Sequence, residues 1–180
     1  MRGIVLAVLA SASFSAVAGA LDANLSSHTV EAAYYGNVGV ADWTFGFLYN
    51  RDENNRAANV GVLATGDTGI GNSRIEGGLG GKLYGVHVAG SDVLSLALGG
   101  QVRWFPGNGP FAIGGYAFYA PNVVTFLDGQ RFYDAGLRAE VEVFRNSFAY
   151  AGYRRMRADL DNGSQVFVDR GGFAGIRIIF

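Results

Sequence analysis

The stretch Leu94-Ser95-Leu96-Ala97-Leu98-Gly99-Gly100-Gln101-Val102-Arg103-Trp104 decides the fold class. Taken every second residue, it separates into two walls. Leu94, Leu96, Leu98, Gly100, Val102 and Trp104 form an apolar one; Ser95, Ala97, Gly99, Gln101 and Arg103 form a small or polar one. Side chains of a strand point alternately to opposite faces, so this period predicts a β-strand. The same rhythm recurs along the chain. Tyr133, Ala135, Leu137, Ala139, Val141 and Val143 stand opposite Asp134, Gly136, Arg138, Glu140 and Glu142. Trp43, Phe45, Phe47 and Tyr49 alternate with Thr44, Gly46, Leu48 and Asn50, and Ile75, Leu79 and Leu83 oppose Arg74, Glu76, Lys82 and Tyr84. Shorter runs are Val30, Ala32, Tyr34; Ala58, Val60, Val62; and Phe111, Ile113, Ala117, Tyr119. Phe148–Met156 is strand-like with its facing open, because Arg154 and Arg155 fall on opposite sides. Turn chemistry separates the runs at 52–55, 66–73, 106–110, 128–129 and 161–163. No segment after residue 20 has helical periodicity for three turns, so the chain is all-β and a single domain.

Alternation alone does not separate a soluble sandwich from a membrane barrel, whose apolar wall faces lipid and whose polar wall fills the lumen. Two features favour the barrel. Glycines recur inside strands (Gly77, Gly78, Gly80, Gly81; Gly99, Gly100; Gly114, Gly115), where they weaken an open sheet but relieve crowding inside a narrow cylinder. Aromatic residues Tyr34, Trp43, Tyr49, Trp104, Tyr119 and Phe180 sit toward the ends of apolar faces, as interfacial girdles do. The composition agrees: 28 Gly, 13 Phe and 9 Tyr in 180 residues, with only 16% charged residues. The absence of Cys excludes a disulfide framework and a cysteine lipid anchor, and a net charge of −1 offers no footprint for nucleic acid.

Arg2, the apolar run Ile4–Ala10 and the small residues Ala18-Gly19-Ala20 read as a Sec-type signal peptide spanning 1–20, which leaves residues 21–180 as the barrel. At the other end Ala174, Ile176, Ile178 and Phe180 alternate with Phe173, Gly175, Arg177 and Ile179. Ile176, Ile178 and Phe180 resemble the C-terminal signal that bacterial outer-membrane proteins present to the barrel-assembly machinery. Nine runs are clear, from about 28–36 to 170–180, whereas bacterial single-chain barrels have even strand numbers. With Phe180 periplasmic, the turns at 106–110 and 145–147 are periplasmic and the stretches 51–56, 121–130 and 161–169 face outside. A tenth strand, with Leu21, Ala23 and Leu25 opposing Asp22, Asn24 and Ser26, then completes the count. An antiparallel transmembrane β-barrel of eight to ten strands is expected.

Several local patterns resemble the YfaZ family of small proteobacterial outer-membrane proteins. They are the Gly-Gly pairs before Lys82 and at Gly99-Gly100, the Tyr-rich strand ending in Ala120-Pro121, the segment Ala151-Gly152-Tyr153-Arg154 and the terminal Phe180. The resemblance implies a barrel in the cell outer membrane and carries over no catalytic residue.

The polar wall collects Glu31, Arg74, Glu76, Lys82, Arg103, Asp134, Arg138, Glu140, Glu142 and Arg177, with Arg154 as a further candidate. Acids and bases nearly balance, which predicts a salt-bridged interior rather than a charge-selective pore. Two histidines, His28 near Ser26-Ser27 and His87, raise the possibility of a lipid-acting hydrolase, but no nucleophile elbow occurs. Asp52-Glu53 and Asp159/Asp161 read as solvated loop acids rather than as a cation site. The expectation is a non-enzymatic barrel without cofactor or metal, structural or surface-interacting, whose partners are outer-membrane lipid and lipopolysaccharide. A narrow solute channel is the second expectation and an outer-membrane lipid enzyme the third.

Overall fold

The computed structural model describes residues 19–180. The expected signal peptide therefore lies outside the described residues except for Gly19 and Ala20. The described residues form eleven strands: β1 Gly19–Leu25, β2 Thr29–Val38, β3 Ala41–Asn50, β4 Asn55–Ile70, β5 Ser73–Val88, β6 Ser91–Phe105, β7 Phe111–Ala120, β8 Thr125–Leu127, β9 Gly129–Phe144, β10 Ser147–Leu160 and β11 Gln165–Ile179. Every pairing is antiparallel, and consecutive long strands are neighbours. Closure comes from β1 against β11, with Leu21 opposite Ile178 and Leu25 opposite Ala174. Ten strands make the barrel. The eleventh, β8, is a three-residue piece that pairs Thr125–Leu127 with Val93–Ser95 of β6, beyond the point where β7 stops following β6.

Two boundaries differ from the sequence reading. Residues 66–70 are not loop: β4 and β5 stay paired as far as Ile70 opposite Ser73, and only Gly71-Asn72 turns. Gly66, Asp67 and Gly69 carry turn propensity locally, but the cross-strand ladder overrides it. Likewise the outer stretch 161–169 shrinks to 161–164, because β11 starts at Gln165. The connections at the end opposite Phe180 are therefore short, and 121–128 folds back onto the wall through β8.

The facing of the clear strands follows the alternation. Leu96, Leu98, Val102 and Trp104 are exposed on the outside, while Val93, Ser95 and Ala97 are buried inside. For β10 the neighbours decide: Arg154 is buried inside and Arg155 is exposed outside. At the Phe180 end, Tyr34 packs 5.1 Å from Trp43 and 6.2 Å from Phe180, centroid to centroid, in an aromatic cluster that spans β2, β3 and the C-terminus. Tyr49 and Tyr119 stand at the opposite end of the outer wall, with Tyr119 beside Tyr133. Trp104 lies near the Phe180 end of β6, opposite Ile75.

Inside, one register row reads Leu63, Gly80, Gly99, Phe118 across four strands. Leu63 and Phe118 are fully buried, and the two glycines between them leave the room they occupy. A Cβ at Gly80 would lie 2.1 Å from the Val62 carbonyl oxygen, and one at Gly99 would lie 2.0 Å from that of Ala117. Both obstacles are backbone and have no rotamer by which to yield. Gly99→Ala is therefore expected to force apart β6 and β7 and cost about 1–3 kcal/mol or more. Urea unfolding of detergent-refolded protein checks this; an unchanged midpoint would show that the strands are not so close.

Candidate functional site

The lumen is the site, and it is stratified. At the end opposite Phe180 an apolar cluster packs the interior: Val88, Val93, Ala120, Leu160 and Val168 are all buried and belong to it with Phe132, Met156 and others, beside the buried Asn50, Asn55 and Thr125. Strands β3, β4, β5, β6, β7, β9, β10 and β11 all contribute to it. A barrel of this size has little interior beyond what side chains fill, so this packing closes the cylinder at that end.

Below it lies a first charged cluster. Arg154 donates from Nε and Nη2 to Asp169 Oδ2 (2.8 and 2.6 Å) and from Nη1 to Glu31, and its guanidinium lies 5.2 Å from the centre of the Phe173 ring. Thr29 donates to Asp169 at 2.7 Å and Asn24 to Glu31 at 2.7 Å. Beside it Tyr84 packs against Phe132 with tilted rings (centroids 4.6 Å apart) and donates to Asp134 at 2.9 Å, while the Lys82 ammonium sits 4.3 Å from the centre of the Phe118 ring. A cavity of about 60 Å³ separates these groups from the next layer. Its walls include Asn24 Oδ1, Thr44 Oγ1 and Asp134 Oδ1, which have no protein hydrogen-bond partner, and it has room for a few waters to bond them.

Toward Phe180 a second cluster forms a continuous chain of ion pairs. Asp22 receives Arg177 (2.9 Å), Arg138 (3.2 Å) and the Tyr150 hydroxyl. Arg138 pairs with Glu140 (2.7 Å), Glu140 with Arg103 (2.6 Å), Arg103 with Glu76 (3.0 Å) and Glu76 with Arg74 (3.1 Å). The alternation of sign gives each buried charge an opposite neighbour and a hydrogen bond, as a low-dielectric interior requires. Arg74 is half-exposed at the mouth, 4.4 Å from the centre of the Phe105 ring. The mouth itself opens at the Phe180 end as a cavity of about 770 Å³ lined by Tyr35, Asp42, Asp67, Arg74, Glu76 and Arg103 among others.

A family model described as YfaZ precursor matches residues 1–180. The chain belongs to the YfaZ family. No curated protein and no solved structure matches it.

Within this YfaZ barrel the charged residues of the polar wall divide into three groups. Glu31, Glu76, Lys82, Arg103, Asp134, Arg138, Glu140, Arg154 and Arg177 line the lumen; Arg74 marks its mouth. Glu142 is different. It has the alternation of its strand but lies beyond the network at the strand end, where it accepts a hydrogen bond from the Asn146 backbone at 3.2 Å. Asp22 and Asp169, which hold the two clusters together, were not among the expected charges. Asp22 sits on the weakest of the alternating runs. Asp169 follows a bulge at Val168, where the register against β10 shifts and two consecutive residues turn inward. The histidines stand apart from the lumen: His28 pairs with Asp52 and His87 with Asp92 (2.7 Å) on the exposed end opposite Phe180. The Ser26 hydroxyl accepts from the backbone of His28 and Thr29 and so shapes a turn. Asp159 is paired with Arg157 at 3.1 Å. Ile176, Ile178 and Phe180 share the outer face of β11, and the Phe180 backbone exchanges two hydrogen bonds of 2.9 Å with Gly19.

Proposed function

We propose that this protein is exported to the cell outer membrane and serves there as a non-conducting, non-enzymatic barrel of structural type, with Phe180 at the periplasmic face. The observation that carries this reading is the apolar packing that fills the lumen opposite Phe180, above two charge clusters that balance only when taken together. The family match, the closed sheet and the exposed Leu, Val and Ile of the outer wall support the location. Engagement of the Ser26 hydroxyl beside His28 by the backbone N–H groups of its own turn supports a non-enzymatic role. Ile176, Ile178 and Phe180 would be read by the barrel-assembly machinery during insertion.

Planar-bilayer recording of refolded protein tests it, with no unitary steps expected. Reproducible steps would establish the second reading, a narrow channel for small solutes, which the 770 Å³ mouth favours. Processing offers a separate check. Gly19 and Ala20 are the first rungs of β1: Gly19 pairs with Gly36 and bonds Phe180, and Ala20 pairs with Ile179 and Tyr35. Cleavage after Ala20 would strip these rungs, whereas Ala16-Val17-Ala18 offers an equally suitable small-residue site. N-terminal sequencing of the membrane form is expected to begin at Gly19. A start at Leu21 would show that the barrel does without them.

A further inference from the structure

On the outer wall of β10 and β11, two arginines face each other. Arg155 is the register partner of Arg170, and both are exposed. Their guanidiniums flank one ring, Phe167, at 5.1 and 5.2 Å from its centre, and Arg170 Nε also donates to the Tyr153 hydroxyl at 3.2 Å. Neither has a carboxylate in salt-bridge reach among the described residues. Asp159, farther along β10, is paired with Arg157. Like charges directly opposite on a ladder repel, and here the stacking on Phe167 holds them together.

Their height on the barrel matters as much as their charge. From the C-terminus the outward side of β11 runs Phe180, Ile178, Ile176, Ala174, Gly172 and then Arg170; that of β10 runs Ala149, Ala151, Tyr153 and then Arg155. The nine residues from Gly172 to Phe180 are about what a tilted strand needs to cross the hydrocarbon. The arginine pair thus lies where the apolar band ends, on the side away from Phe180. We propose that Arg155 and Arg170, with Tyr153 and Phe167, form a binding site on the barrel wall for the phosphorylated head group of an outer-leaflet glycolipid. The inference rests on the outer-membrane reading with Phe180 periplasmic. Two planar guanidiniums on adjacent strands offer paired N–H donors to one phosphate, and the anion removes the repulsion between them. The acyl chains then lie along Ala174, Ile176 and Ile178, which are outward on the same strand.

Native mass spectrometry of full-length mature protein refolded in detergent, titrated with bisphosphorylated lipid A, tests the site. The wild type is expected to retain the lipid at one copy per barrel, with affinity at least about ten-fold weaker in Arg155→Gln/Arg170→Gln. Dephosphorylated lipid A should bind both proteins alike, and inorganic phosphate should compete only at far higher concentration. Equal retention of lipid A by wild type and double variant overturns the proposal, as does equal binding of dephosphorylated lipid to the wild type. Should the double variant fold poorly, Arg170→Gln alone is expected to show a several-fold loss, and no loss overturns the proposal equally. Because the chain has no cysteine, Asn162→Cys gives a unique label in the loop between β10 and β11. Labelling of intact cells with unchanged lipid A binding rejects the site alone; labelling only after permeabilisation rejects the orientation it rests on.

Discussion

Replacing Arg154 by Ala is expected to cost about 3–5 kcal/mol of barrel stability, because it leaves the buried Asp169 and the half-buried Glu31 without their cation. The side chain is 2% exposed, and its three donors reach Asp169 on β11, the strand beside its own, and Glu31 on β2, which lies beyond β1. Thr29 and Asn24 supply one further hydrogen bond to each acid, far short of what a dry carboxylate needs. The loss includes the packing of the guanidinium on Phe173 as well as its charge. Urea unfolding in detergent micelles, followed by fluorescence of Trp43 and Trp104, measures the change. A second variant identifies the cause. Arg154→Met with Glu31→Gln and Asp169→Asn removes all three charges together and should recover most of the lost stability, since a whole buried ion cluster contributes much less than the penalty for breaking it. A loss below about 1 kcal/mol for Arg154→Ala would place the cluster in water.

Leu98→Arg is the corresponding probe of the outside. Leu98 is 67% exposed, at the centre of the outer face of β6 between Leu94 and Trp104. In water, replacing so exposed a leucine by arginine changes stability by about 0.5 kcal/mol at most. At the midplane of a bilayer the same change costs about 2–4 kcal/mol. Refolding into phosphatidylcholine vesicles, with the equilibrium read from tryptophan fluorescence, distinguishes the two. A near-neutral result in vesicles would mean that this wall does not face lipid.

The two probes also divide what was legible from what was not. Leu98 and its neighbours could be placed from the chain alone, because facing on a regular strand is a local property of period 2. Arg154 could not: alternation left β10 with a charge on each side, and only the packing of Phe148, Tyr150 and Met156 inside selects its inner face. Ten strands were expected only if a weak N-terminal run were counted. What makes it a strand is its place between β2 and β11, not its own residues.

The sequence by itself determined the class of the molecule: alternating walls, aromatics at the ends of the outer one, and an inward set of nearly balanced charges; its paired glycines fall one on each wall, Gly80 and Gly99 inside, Gly81 and Gly100 outside. Tertiary structure alone decided which charges meet. Asp22 on β1 gathers partners from β9, β10 and β11, up to 155 residues away in the chain, and Asp169 turns inward only because β11 bulges at Val168. It also decided that one end of the lumen is apolar and packed while the other is open. Alternation specifies which wall a residue belongs to; its height along the barrel, and so its neighbours across the lumen, depends on strand register and closure, which no short stretch of sequence encodes.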